Sequence, residues 1–95
     1  MFVIILNYLQ PLEKVDAYLV EHRNFLEEGY KKNQFIASGP QSPRVGGILL
    51  SQLKNREELW EVLKKDPFYM QGIADYNVIE FTPVKYHTQF SHFIE

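Results

Sequence analysis

Phe2-Val3-Ile4-Ile5-Leu6 is the stretch on which the fold turns. The run is apolar without interruption and rich in β-branched side chains. A strand with one wet face would alternate apolar and polar residues, so this pattern predicts a strand covered on both sides, in the middle of a sheet. The run stops at Asn7 with no basic leader before it. It is therefore too short for a signal sequence or a membrane span, and no membrane partner is expected.

Moving outward, Pro11 opens a helical pattern. Leu12, Val15, Tyr18, Leu19, His22, Phe25 and Leu26 recur at spacings of three and four, while Glu13, Asp16, Glu21, Asn24 and Glu27 fill the other side. His22 lies inside the apolar stripe, so its imidazole is expected to face the sheet. Gly29 and the polar residues through Gln34 are expected to end this helix. Phe35-Ile36-Ala37-Ser38-Gly39-Pro40 reads as a second strand stopped by Gly and Pro. Pro40 to Arg44 form a short connection, and Val45 through Leu53 a third strand in which Gly46-Gly47 permits a bulge or a close approach. The two strands should pair as an antiparallel hairpin.

Asn55 followed by Glu58 resembles a capping box, and Leu59, Trp60, Val62 and Leu63 supply the buried side of a second helix ending near Lys65. Asp66-Pro67-Phe68 then starts a short helical turn through Gln71, which Gly72 leaves with a positive φ. Residues 76 to 82 alternate as a fourth strand, stopped by Pro83. An aromatic tail over residues 85–95 carries Tyr86, Phe90 and Phe93 and needs a surface to cover.

The resulting order, β-α-β-β-α-β, predicts an α+β fold of the ferredoxin-like kind, with helices on one face of a four-stranded antiparallel sheet. The chain has 95 residues, which predicts one domain over 1–95. Strand one is apolar at both parities and strand three carries Val45, Ile48, Leu49 and Leu50, so the face opposite the helices should be apolar too. An apolar sheet face exposed to water marks an interface, and a homodimer with stacked sheets is the expectation. The net charge is −2, and the ten Lys and Arg are interleaved with acids, which argues against nucleic acid as a partner. No cysteine is present, removing disulfides, thiolate metal sites and a cysteine nucleophile; an intracellular, cytoplasmic protein is the simplest expectation.

The chemistry centres on His22 and Asp66. On its helix face His22 is the one side chain able to exchange a proton near neutral pH, and a carboxylate on one ring nitrogen would fix its tautomer. Two bland alternatives stay open. Asp66 before Pro67 is a common helix cap, and His22 is equally readable as a semi-buried histidine held by a backbone carbonyl. Ser38 is a candidate donor at a strand end that Gly39-Pro40 leaves open to a ligand, although a hydrogen-bonding strand serine is the plainer reading. Phe68 joins Ser38, Gly39 and Pro40 as an expected ligand-lining residue. Trp60, Tyr69 and Tyr76 are either lining for an aromatic ligand or core. His87 and His92 are five residues apart with no acid beside them, so no metal site is expected. Gly46-Gly47 lacks the flanking residues of a phosphate loop.

Taken together, His22 in the first helix, Ala37-Ser38-Gly39-Pro40 ending the second strand, glycine in the third, and Asp66-Pro67-Phe68 followed by Gly72 resemble the YciI-like (YCII-domain) family over about residues 2 to 86. The resemblance implies a dimeric α+β barrel and a site in which His22 pairs with Asp66. Some relatives are linked to dehydrochlorination of chlorinated hydroxyquinols. In many relatives an arginine stands three residues before the histidine, where this chain has Leu19. Arg23 follows His22, but a step of about 100° around the helix is expected to carry it off the site face. The leading expectation is a cofactor-free enzyme in which His22 and Asp66 move a proton during elimination or isomerisation of a small organic molecule. The alternatives are a non-catalytic small-ligand binder and an interaction module docking through the aromatic tail.

Overall fold

The computed structural model describes residues 1–94. Its sheet is built from β1 (Phe2–Tyr8), β2 (Phe35–Pro40), β3 (Gly46–Ser51) and β4 (Ala74–Glu80), in the spatial order β2-β3-β1-β4 with every neighbouring pair antiparallel. β1 is central, as its unbroken apolar run requires. The helices are α1 (Leu12–Ala17), α2 (Leu19–Lys31), α3 (Arg56–Leu63) and the single turn α4 (Pro67–Met70); a 3-10 helix covers Thr88–Phe93. The ferredoxin-like α+β arrangement expected from the element order is the observed one.

Phe2, Ile4 and Leu6 point from β1 into the core, where they meet Leu49, Phe35, Val15, Leu59, Leu63, Phe68 and Ile73. Asn55 caps α3 by accepting from Glu58 N–H at 3.0 Å, as the capping pattern anticipates. Cross-strand partners share a face, so Val3, Ile5, Ile48, Leu50 and Ile79 lie together on the side away from this core. No helix among the described residues is long and apolar enough to cross a membrane.

The first helical pattern is corrected in one place. It is broken at Tyr18 (φ −112°, ψ 8°) into α1 and α2, with neither glycine nor proline to signal the break. Its end falls within the stretch from Gly29 to Gln34 expected to close it, but Gly29 itself does not stop the helix and is buried within α2. A Cβ at Gly29 would overlap the Phe35 ring, so this glycine is there to let β2's first side chain pack against the helix. The chain leaves α2 after Lys31 instead, with Asn33 in the left-handed region at φ 58°.

β3 is shorter than expected. It starts at Gly46, where a Cβ would overlap the Leu6 carbonyl oxygen, and ends at Ser51, whose hydroxyl donates to Gln34 O at 2.7 Å. β4 begins two residues earlier than the alternation suggests and ends at Glu80. In the tail, Phe90 and Phe93 pack on each other, ring centroids 5.4 Å apart, and no residue of the 3-10 helix is buried.

Candidate active site

Asp66 is the N-cap of α4 and is 1% exposed. Pro67 at the first helical position lacks an N–H, so the first donor in need of a partner is Phe68 N–H, which Asp66 Oδ1 accepts at 3.0 Å. The same oxygen lies 2.8 Å from His22 Nδ1, and Oδ2 accepts the Tyr76 hydroxyl hydrogen at 2.6 Å. The cap reading and the histidine-partner reading therefore hold together, because a carboxylate accepts more than one hydrogen bond at each oxygen. Three donors from α2, α4 and β4 converge on one buried carboxylate.

An ionised carboxylate only accepts, so its contact assigns the hydrogen to His22 Nδ1, and in the neutral ring it is Nε2 that carries the lone pair. Nε2 has no hydrogen-bond partner, and among the described residues no buried side-chain nitrogen or oxygen lacks one, so Nε2 is open to solvent. The imidazole is stacked on the Phe68 ring, centroids 3.9 Å apart and planes 3° from parallel. Phe68 is itself 1% exposed and meets Tyr8 edge-on at 6.2 Å. Ring plane and ring azimuth are thus both fixed: the stack sets one, the Asp66 contact the other.

His22 lines a cavity of about 440 Å³ between α2 and the β2–β3 hairpin. Ser38, Gly39, Pro40 and Phe68, the four residues expected to meet a ligand, all line it. Ser38 is hydrogen-bonded to the Tyr30 hydroxyl at 2.6 Å. Asp66 stands behind His22 and is not part of the wall. His22, Leu26 and Tyr30 follow each other at intervals of four along α2, which places them in one row on the helix surface.

One expectation is corrected here. Arg23 lines the same cavity as His22, because the neighbouring row of α2, Leu19, Arg23 and Glu27, also reaches it and a long arginine stem spans the angular offset. Trp60, Tyr69 and Tyr76, left open between ligand lining and core, line no part of it. Tyr69 packs edge-on against both Trp60 and Tyr76, and Tyr76 spends its hydroxyl on Asp66. Burial, then the Asp66 charge and the hydrogen bond to it, push the Tyr76 phenol far above the ordinary tyrosine range, so it stays protonated.

Residue types gave no signal for Tyr8, Tyr30 and Arg44, which also line the cavity. Arg44 donates from Nη2 to Asp16 Oδ1 at 2.6 Å, and its guanidinium lies 5.9 Å from the Tyr8 ring centroid. The tail histidines stand apart from all this. His87 Nδ1 accepts from Gln89 N–H at 3.1 Å, and His92 meets Phe93 edge-on.

No curated protein matches the sequence. Among solved structures, 5-chloro-2-hydroxyhydroquinone dehydrochlorinase (TftG) from Burkholderia phenoliruptrix AC1100, determined in complex with 2,5-dihydroxybenzoquinone, superposes with a TM-score of 0.70. The match covers 85% of this chain and 93% of that one at 19% identity, a likeness of fold. The model of the YCII-related domain matches residues 1–82, which takes in the sheet, the four α-helices and every residue of the cavity, and the chain therefore belongs to the YCII-related domain family.

Proposed function

We propose that this protein is a cofactor-free acid–base enzyme that eliminates from, or isomerises, a small organic molecule, with His22 as the proton-transferring group and Asp66 as its orienting partner. The observation that carries this reading is the 2.8 Å contact between His22 Nδ1 and Asp66 Oδ1, with Nε2 unpaired and His22 on the cavity wall. A general base needs an accessible lone pair and a fixed tautomer, and this pair supplies both.

In an elimination, Nε2 takes a proton from an sp3 carbon next to the one that bears the leaving group; a chlorinated hydroxyquinol offers such a carbon in its diketo tautomer, where the CH2 stands beside the CHCl. The C–H electron pair becomes the new double bond, and the leaving group departs with the pair of its own bond. The imidazolium formed keeps Nδ1–H on Asp66, which offsets the charge it has gained. In an isomerisation, the same proton returns from Nε2 to a different carbon. The elimination named for the dehydrochlorinase of like fold supports this class of chemistry. The test is chloride release from 5-chloro-2-hydroxyhydroquinone. Wild type should release it, and His22→Asn should be slower by about 10²- to 10⁴-fold with its fold retained. Equal rates for the two proteins would sink the proposal.

The chain also reads as one domain that pairs with a second copy through the open sheet face. Val3, Ile5, Ile48, Leu50 and Ile79 form an apolar patch there, of the kind that water does not tolerate on a lone subunit. Sedimentation should find a dimer at micromolar concentration and a monomer for Ile48→Asp. A monomeric wild type would refute the pairing.

A further inference from the structure

The cavity is not electrically uniform along its length. Arg44 and Arg23 line it, as does Glu27, one turn beyond Arg23 along α2 in the direction of Tyr30. Arg23 is exposed and has no ion-pair partner among the described residues. Arg44 is held in place. Asp16 takes one N–H of its Nη2, and the Tyr8 ring lies beside the guanidinium. From there a continuous series of ring contacts, Tyr8 edge-on to Phe68 and Phe68 stacked on His22, ties the position of this cation to that of the imidazole. The single contact to Asp16 leaves most of the five guanidinium donors unspent. The solvent-exposed pair with Asp16 and the Tyr8 ring restrain the guanidinium without burying it, and the planar fork of its remaining donors matches a carboxylate.

We propose that Arg44 is the anion-binding residue of the cavity and that the substrate is a small aromatic acid, a carboxylate or an ionised hydroxyquinol, held by its charged oxygen at Arg44 with its ring along the wall made by Tyr8, Phe68 and Pro40. This rests on the reading of the cavity as the substrate site. It assigns the charge recognition to Arg44 on the β2–β3 connection, which Asp16 and the Tyr8 ring restrain, over Arg23 on α2, which no ion pair among the described residues restrains. The orientation follows from the charges: Glu27 repels an anion from the Tyr30 end, which leaves the hydroxyls of Tyr30 and Ser38 for a neutral polar group.

The experiment is an NMR titration of the intact chain with benzoate and with benzamide, which have the same ring and differ in charge. Wild type should bind benzoate about tenfold more tightly than benzamide. Arg44→Gln should abolish that preference, and Arg44→Lys should keep part of it, since it retains the charge without the fork. Arg23→Gln should leave the preference intact, which separates the two cations of the cavity. Equal binding of the two probes by wild type, no millimolar binding of benzoate, an unchanged preference in Arg44→Gln, or its loss in Arg23→Gln would each overturn the proposal. The acid–base reading fails separately: its signature is unchanged chloride release by His22→Asn, whatever the benzoate preference does.

Discussion

The hydroxyl of Tyr76 donates to Asp66 Oδ2 at 2.6 Å, while His22 and the Phe68 N–H share the other carboxylate oxygen. The tyrosine comes from β4 and the aspartate from the turn that precedes it, so the sheet itself fixes the rotation of the carboxylate. Without that bond only Oδ1 would be held, by His22 and the Phe68 N–H. Tyr76→Phe leaves Oδ2 buried and unpaired. It should lose about 2–3 kcal/mol of stability, the range for a hydrogen bond to a charged group, measured as a lower urea midpoint at unchanged slope. A loss near zero would mean that Asp66 is held without Tyr76.

The same contact predicts an alkaline weakness. The folded protein holds Tyr76 protonated, with its titration raised above the ordinary 10.0, so the unfolded chain releases this proton first. The contribution is whole below pH 10.0 and is lost as pH climbs from there toward the raised native value. Wild type should lose stability above that point by up to about 1.4 kcal/mol per pH unit more than Tyr76→Phe. Urea unfolding of both proteins on either side of that pH checks the difference in slope.

Asp66→Asn separates the cap from the histidine partner. Asparagine caps helices as well as aspartate does, so Phe68 N–H keeps an acceptor. The site must also accept hydrogens from Tyr76 and His22, and an amide has one oxygen for all three. The variant should stay folded with a loss of about 1–3 kcal/mol. Imidazole ¹⁵N shifts should report His22 as the Nδ1–H tautomer in wild type and as a mixture in Asp66→Asn. An unchanged tautomer would show that something other than Asp66 sets it.

Gly29→Ala sets helix propensity against packing. In an open helix, alanine would add about 1 kcal/mol over glycine. Here the new methyl overlaps the Phe35 ring, and Phe35, 3% exposed at the start of β2, has no room to retreat. The substitution should destabilise by about 1–3 kcal/mol despite the gain in propensity. Gly29→Ala combined with Phe35→Leu should lose less than the two single changes added together, since the shorter side chain removes the overlap. Thermal unfolding of the four proteins in that cycle decides it.

The sheet was legible because its signals are local. An uninterrupted apolar run announces a central strand, Asn55 and Asp66 announce helix starts, and each was found in its place. The break at Tyr18 was not legible, since no residue type there disfavours a continuing helix. Gly29 misled for a related reason: glycine near the end of a helical pattern reads as an exit, and its actual role depends on Phe35, six residues on in another element. Of the site, His22 and Asp66 could be singled out as residues able to exchange or accept a proton. Tyr76 could not be told from a core tyrosine, and Arg44 carried no mark distinguishing it from any loop arginine.

By itself the sequence determined the element order, the inward face of α2 and the two polar residues that the apolar pattern has to accommodate. Those follow from periodicity, capping and backbone chemistry, which act between near neighbours in the chain. Only the tertiary structure decided that Asp66 serves α4, His22 and Tyr76 at once, and that Arg44 stands on the cavity that His22 lines. Contacts of that kind join residues from separate elements, 44 positions apart for His22 and Asp66. Their geometry is set by how the helices seat on the sheet, and no local pattern encodes that seating.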